Sequence, residues 1–346
     1  MKKNTLIICI VAAVLVVGLV IGLILMLGGD KTPSTPSTPE TPSTPETPET
    51  PETPAEKTYY LATATISKEL ASRGGSKIAN NFAVVVFDAN GKIVAARFDS
   101  IEAAHPTLVD GVIVVDETSL KSKVESGYKK GSMSDTWGNQ IANFEKHIVG
   151  MTAAEVAALA LTDADGKNAG LVTGCTMVST SYSSMLDCQA LVAKAAASTK
   201  KVEFKVAEDA TIKLGLGVDA SAGFNSNGKD IDFTANCAGT VFVGDKAVAG
   251  IVDSTVQTYV VTDGVAANPT TYKESKLVLG DSYGMLSAWG SKIAEWYVQA
   301  QNYADTVVGK TAAEIAGLST DKIEGKCTMY VGGYKAVLVE AAQNAK

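Results

Sequence analysis

One tetrapeptide in this sequence, Thr173-Gly174-Cys175-Thr176, combines residue types that could carry chemistry: two hydroxyls, a thiol and a glycine. We call it the TGCT segment. The 346 residues include only two histidines, His105 and His147, which exclude histidine metal clusters and leave two candidate bases for a Ser-His-Asp or Cys-His arrangement. No spacing favours a hydrolase with a Ser-Lys pair. The sequence therefore predicts no catalytic set and no metal site, and it favours a protein other than a classical enzyme.

The TGCT segment, with Val172 before it and Ser179–Ser184 after it, resembles the Thr/Ser-Gly-Ala-Thr signature of the FMN-binding domain found in membrane-tethered bacterial flavoproteins. In that family the last threonine forms a phosphoester with FMN, installed by a separate flavin transferase. The resemblance implies a covalent FMN on Thr176, with Thr173, Gly174 and Cys175 as further cofactor-binding residues. It also implies redox partners. Modules of that family begin with a strand, an Asn-Gly-Lys type of turn and a second strand, as Val84–Asp99 does here.

The sequence departs from the family signature in two places. Cys175 replaces the usual alanine, and the matching segment of the second half, Gly325-Lys326-Cys327-Thr328, has lysine where glycine is expected. We therefore predict no attachment at Thr328. The alternative interpretation of both segments is structural: Cys-Thr-Met suits a half-buried strand whose small cysteine packs in the core.

The same unit occurs twice in the chain, which predicts a tandem duplication. Gly150–Ala157 matches Gly309–Ala316, and Cys327 follows Cys175 by 152 positions. Aligning Trp137-Gly138 with Trp289-Gly290 places a seven-residue insertion of the second copy after its tryptophan.

Each copy predicts a β-hairpin, helices, a strand and a C-terminal helix, which is an α+β fold. The expected hairpin turn at Asn90-Gly91 needs positive φ angles. Thr152 with Glu155, and Thr311 with Glu314, predict capping boxes at helix starts. The other predicted elements are hairpin strands at Phe82–Phe87, Ile93–Phe98, Gly239–Val243 and Ala247–Val252, later strands at Leu171–Val178 and Ile323–Val331, and helices at Asp135–Ile148, Ser287–Val307, Tyr182–Ala197 and Tyr334–Ala345. The Gly215-Leu216-Gly217 stretch is interpreted as a loop.

The first 56 residues predict a membrane anchor and a stalk. Leu6–Leu27 is an uncharged apolar run of 22 residues, enough at about 1.5 Å per residue to span a bilayer. Lys2 and Lys3 place the N-terminus in the cytoplasm and the rest outside. Thr32–Pro54 repeats Thr-Pro every three residues, which predicts an extended rod. The expected organisation is a cytoplasmic tip at 1–5, a transmembrane helix at 6–28, an extracellular stalk at 29–56, and repeat domains at 57–200 and 201–346.

The net charge and the cysteine content lead to two further expectations. A net charge of −7 without a basic stripe argues against nucleic-acid binding. Beyond the span, three disulfide pairings are open in an oxidising compartment for the four cysteines Cys175, Cys188, Cys237 and Cys327.

Two functions remain from different classes. One is an FMN-dependent extracellular electron carrier, whose flavin would supply the redox chemistry that the protein residues lack. The other is a non-catalytic cell-surface module that binds a cell-wall polymer or a surface protein through its two repeats.

Overall fold

The computed structural model describes residues 55–72, 75–131, 133–288 and 290–346. The predicted transmembrane helix at 6–28 and nearly all of the stalk at 29–56 lie outside these residues. Among the residues that are described, no helix is long and apolar enough to cross a bilayer. We therefore correct the expectation of a single-pass extracellular membrane protein: no helix of the described chain supports it, and the function proposed below does not depend on it.

The first sheet is antiparallel and has four strands in the order β3-β2-β1-β6. They are β1 (Glu56–Ser72), β2 (Gly75–Asp88), β3 (Ile93–Ala104) and β6 (Val202–Ala207), and a separate small hairpin follows in β4 (Thr107–Val109) and β5 (Val112–Val114). The predicted β2–β3 hairpin is confirmed. Asp88 Oδ1 accepts the N–H groups of Asn90 and Lys92, and Gly91 has φ of +75°. Strand β1 had no counterpart among the predictions.

The second sheet has the order β10-β9-β8-β7, in which β9, β8 and β7 repeat β3, β2 and β1 but the fourth strand lies at the opposite edge. Its strands are β7 (Ile212–Phe224), β8 (Ile231–Val243), β9 (Lys246–Thr262) and β10 (Val265–Ala267). The predicted β8–β9 hairpin is confirmed. The loop expected at Gly215–Gly217 is wrong, since these residues lie inside β7. A Cβ at Gly215 would come within 1.7 Å of the Ala341 carbonyl oxygen, so the glycines serve close packing of a helix on the strand.

Helices follow each sheet in the same order. The first set is α1 (Trp137–Ile148), α2 (Ala153–Ala157) and α3 (Met185–Ala197); the second is α4 (Lys276–Leu279), α5 (Trp296–Ala304), α6 (Ala312–Ala316) and α7 (Gly332–Gln343). Both predicted capping boxes, at the starts of α2 and α6, are confirmed. Helix α5 begins at Trp296 rather than Ser287, because the Glu295 carboxylate accepts the N–H groups of Met285 and Leu286 and holds that segment in a loop.

The strands predicted at Leu171–Val178 and Ile323–Val331 are wrong. Both segments are irregular, apart from an isolated bridge between Ile323 and Cys327 in the second. The first is preceded by Gly170 and interrupted by Gly174, whose φ angles of +72° and +79° lie outside the extended region. Side chains of the preceding helix, rather than a neighbouring strand, take up its backbone hydrogen bonds.

The two copies fold as one compact unit in four layers of helix, sheet, sheet and helix. Along β2, Val84 and Val86 face the second sheet, whereas Ala83 and Val85 face α1 and α3. Because both faces of this part of the strand are buried, Phe82–Phe87 is an unbroken apolar run rather than an alternating one. The fold is thus α+β, as predicted.

Candidate functional site

Helix α1 positions the TGCT segment. The Thr136 hydroxyl caps the helix by accepting the N–H of Asn139 at 3.3 Å. One turn later, buried Gln140 accepts both the N–H and the hydroxyl of Thr176 at its Oε1, each at 3.1 Å. Its amide group donates to the Asp135 carbonyl oxygen at 3.0 Å, which fixes the orientation of the side chain. Thr176 is an exposed residue, and Gln140 holds its hydroxyl in place.

The backbone angle and the neighbours of residue 174 require a glycine. Its φ is +79°, and a Cβ there would lie 2.5 Å from Asn143 Nδ2. That nitrogen donates to the Gly174 carbonyl oxygen at 3.1 Å. The tight turn closes with a hydrogen bond from Cys175 N–H to the Val172 carbonyl oxygen at 3.1 Å. Thr173 is exposed at the tip of this turn.

Cys175 points away from the exposed side of the segment. It is 1% exposed and belongs to the core between the first sheet and its helices. Burial raises the pKa of its thiol to about 11, so the thiol is uncharged and unreactive at neutral pH. Cys175, Cys188, Cys237 and Cys327 are all buried and free, and none of the open disulfide pairings is formed.

The second copy repeats the threonine–glutamine contact but not the turn. Thr328 donates its N–H and its hydroxyl to Gln299 Oε1 at 3.0 and 3.3 Å. Asn302 donates to the Lys326 carbonyl oxygen at 3.0 Å, as Asn143 does to that of Gly174. The positive φ, however, belongs to Gly325, at +68°, one residue before Lys326. A bulky charged side chain thus occupies the position at which the first copy has no side chain.

A cavity of about 290 Å³ reaches the end of the TGCT segment, although Thr176 itself does not line it. Met177, the next residue, lines it together with Trp137, the first residue of α1. The rest of the lining combines aromatic, thioether and charged groups: Leu70, Lys77, Glu102, Lys123, Tyr128, Lys130, Met133, Ser181 and Tyr182. Three rings and two thioethers provide flat apolar contact area, and three lysines against one glutamate make the lining net positive.

The Trp137 ring is fixed by hydrogen bonds. Its Nε1–H donates to the Ser183 carbonyl oxygen at 2.8 Å, and the Ser183 N–H donates to Glu102 Oε1 at 2.8 Å. Lys123 Nζ forms an ion pair with the same oxygen of Glu102 at 2.8 Å and lies 4.4 Å from the centre of the Tyr128 ring. The cavity wall is therefore preorganised.

The two buried charges of this wall stabilise each other. Burial lowers the pKa of Lys123, and the attraction of Glu102 opposes that shift. For Glu102, burial alone would raise the pKa, but the nearby Lys123 ammonium brings it below its usual value. Both groups are charged at neutral pH, so Lys77 and Lys130 give the cavity its excess positive charge.

Thr176 was named from the sequence and stays a prediction, whereas the cavity was not predicted. The alignment of Trp137 with Trp289 is wrong, because the structure places Trp296 at the first turn of the equivalent helix, and the seven-residue insertion precedes it. Trp289 itself lies outside the described residues. One signal was available: Ser122-Lys123 and Ser275-Lys276 recur in the two copies.

The two histidines take no part in this site. His105 Nδ1 lies 2.7 Å from the Tyr259 hydroxyl, and its Nε2 lies 3.1 Å from Glu69 Oε1. His147 lies in the last turn of α1.

Comparison with known proteins finds no protein family, no curated protein and no solved structure that matches this chain.

Proposed function

We propose that this protein carries an FMN phosphoester-linked to Thr176 Oγ1 and acts in electron transfer. The observation that carries the proposal is the position of Thr176: it is an exposed residue whose hydroxyl is held by Gln140, and the next residue lines an aromatic, net positive cavity.

The residues of the cavity suit a flat anionic group. A phosphodiester retains one negative charge, which Lys77 and Lys130 complement. The rings of Trp137, Tyr128 and Tyr182 offer faces and edges against which a planar heterocycle packs. Gly174 has no side chain and lets Asn143 hold the turn that presents the threonine, and it stands where the flavoprotein family has its glycine.

A bound flavin would supply the electron-accepting chemistry, so the protein needs no acid, base or nucleophile of its own beyond Thr176. Attachment forms the bond between Thr176 Oγ1 and phosphorus and breaks the pyrophosphate bond of FAD, with AMP as the leaving group and the hydroxyl proton released. This step requires a flavin transferase as partner. The protein then exchanges electrons with redox partners.

The test is intact mass together with visible absorbance of the full chain, coexpressed with a flavin transferase. We expect a mass increase of one FMN less one water, and a flavin spectrum, in the unmodified protein and in Thr328→Ala. Thr176→Ala should show neither. A protein that gains no mass, or gains it equally in Thr176→Ala, would overturn the proposal.

A binding module is the second candidate, and exposed valines favour it. Hairpins β4–β5 and β9–β10 contact each other through β4 and β10. They expose Val109, Val112, Val114, Val260 and Val265, of which Val265 is 69% exposed. Apolar side chains on adjacent hairpins are typical of protein contact surfaces. Binding of a protein partner that is lost in Val112→Lys and Val265→Lys, with no flavin in the native protein, would favour this function.

A further inference from the structure

Lys123 and Lys276 occupy equivalent places in the two copies. Asp99 Oδ1 accepts the N–H of Val124 at 3.1 Å, and Asp253 Oδ1 accepts the N–H of Leu277 at 3.1 Å. Each lysine precedes that donor residue directly. The buried aspartates thus anchor the two lysines in the same register against their sheets.

Both ammonium groups lie over aromatic rings. Lys123 Nζ is 4.4 Å from the Tyr128 ring centre and 5.8 Å from that of Trp137. Lys276 Nζ is 5.2 Å from the ring centre of Tyr283 and 5.4 Å from that of Trp296. Their cation–π surroundings are therefore alike.

The two lysines differ in their counter-charge. Lys123 pairs with Glu102, which lies three residues after Asp99. The residue three positions after Asp253 is Val256, whose side chain carries no charge. Among the described residues, no carboxylate comes within the 4.0 Å of an ion pair with Lys276 Nζ. Burial lowers the pKa of Lys276 to about 8, while Asp253 and Asp232 act against that shift from farther away.

A cavity of about 530 Å³ adjoins this lysine, within the size range of small-molecule sites. Its lining includes Lys276, Val256 and Tyr283, and several hydroxyl and amide groups: Asn225, Ser226, Thr234, Thr258 and Ser282.

The other charged groups of this cavity already have partners. The Thr258 hydroxyl donates to Asp232 Oδ1 at 2.9 Å, Lys273 Nζ donates to Thr258 at 3.1 Å, and Lys194 pairs with Glu274. Lysines and carboxylates balance in the lining, so a ligand with one negative charge suits it better than one with several. Within the described part of the chain Lys273 also lacks a carboxylate partner within ion-pair distance, but it is exposed, so the partly buried Lys276 ammonium is the group left for that charge.

We propose that this cavity binds a small hydroxylated monocarboxylate, whose carboxylate takes the place beside Lys276 that Glu102 takes beside Lys123. The hydroxyl and amide groups of the lining bind the ligand hydroxyls. This site is separate from Thr176 and does not depend on FMN.

Binding requires the protonated lysine, so affinity is expected to fall as the pH rises above about 8. The charged and titratable groups that face Lys276 from the packed elements are Asp232 on β8, Asp253 on β9, Lys273 and Glu274 before α4, Tyr283 after it, and Tyr334 on α7. Asp253 Oδ1 accepts two backbone N–H groups, and Asp253 does not lie within ion-pair distance of the Lys276 ammonium.

The experiment is isothermal titration calorimetry of the full chain at pH 7 with glucuronate as the probe. Glucose serves as the uncharged control and inorganic phosphate as the multiply charged one. The matched variants are Val256→Glu, which supplies the carboxylate of the first copy, and Val256→Gln, which has the same size without the charge. We expect glucuronate binding in the unmodified protein and in Val256→Gln, and at least a tenfold loss of affinity in Val256→Glu and in Lys276→Met.

Several results would overturn the proposal: no glucuronate binding, equal affinity in Val256→Glu, or equal affinity for glucose. Tighter binding of phosphate would reject the monocarboxylate assignment. Circular dichroism of each variant separates loss of the site from loss of the fold, and Val256→Glu keeps the test valid if Lys276→Met does not fold.

Discussion

Gln140 Oε1 accepts two hydrogen bonds from Thr176, one from its N–H and one from its hydroxyl, both at 3.1 Å. The glutamine therefore fixes the backbone and the side chain of the candidate attachment residue at once. Thr328 and Gln299 make the same pair of contacts in the second copy, where no attachment is proposed. This pair offers an internal control.

We expect Gln140→Leu to reduce FMN incorporation at Thr176 severalfold, because the hydroxyl loses its fixed position. Losing the hydrogen bonds to the Asp135 carbonyl oxygen and from the Thr176 N–H should also cost about 1 kcal/mol of stability, because both residues are exposed and water can replace the glutamine. Mass spectrometry of loading, with urea unfolding alongside, measures both effects. Gln299→Leu should lose similar stability without losing flavin, and equal flavin loss in the two variants would contradict the positioning role.

Gly174→Ala should destabilise the protein by roughly 2 kcal/mol. The new Cβ would meet Asn143 Nδ2 at 2.5 Å and would require an alanine at a φ of +79°. Gly325→Ala is the matched control, since it also has a positive φ but no atom within 4 Å of its Cβ, and it should cost about 1 kcal/mol. Urea unfolding compares them; the same loss in both would show that the clash is relieved.

Helix α7 packs so closely on β7 that Gly217 cannot be enlarged. A Cβ at this position would lie 2.0 Å from the Val337 carbonyl oxygen, so Gly217→Ala must displace the helix, and we expect a loss of roughly 3 kcal/mol. Gly223→Ala lies in the same strand with nothing within 4 Å and should change stability little. Thermal and urea unfolding would test the pair, and a neutral Gly217→Ala would contradict the packing.

Stability should fall as the pH rises from about 4 to 6, because of two buried aspartates. Burial raises the pKa of Asp99 and of Asp253 to about 6, each against hydrogen bonds that favour the charged form. A carboxyl group whose pKa is higher in the folded state than in the unfolded state stabilises the fold when it is protonated. This contribution of roughly 3 kcal/mol per site is complete below the unfolded pKa of about 4, and it is lost as the pH rises through 6.

Asp99→Asn and Asp253→Asn should flatten this dependence, because an amide oxygen still accepts the two N–H groups without carrying a charge. Urea unfolding at pH 4 and pH 7.5 measures the difference. A variant with the same slope as the unmodified protein would show that its aspartate does not titrate in this range.

The sequence predicted what local signals encode. The Asn-Gly turn, the capping boxes and the two hairpins depend on a few neighbouring residues, and all lie where they were expected. The TGCT segment was predicted as a strand because its alternation suits one. Tertiary contacts from Gln140 and Asn143, 36 and 31 positions away, decide its conformation instead.

The candidate sites were harder to predict, because they depend on side chains brought together by the fold. Lys123 contacts Glu102 only because the fold places a loop against β3. That Val256 replaces this glutamate in the second copy is evident only when β3 and β9 are superimposed. The residues around Gly217 in the sequence do not indicate that a helix packs on it. The sequence therefore predicted a loop where the structure has a strand.

Strand β6 follows α3 in the chain, yet it pairs with β1 over Glu56–Leu61, the first residues of the folded unit. During synthesis the first sheet can therefore be completed only after residue 207 has left the ribosome. Until then β1 has an open edge, and the inner face of the sheet has no partner until β7–β9 arrive. A fragment that ends near residue 200 would lack β6, the edge strand of its sheet. We therefore do not expect the two halves of the chain to fold as independent domains.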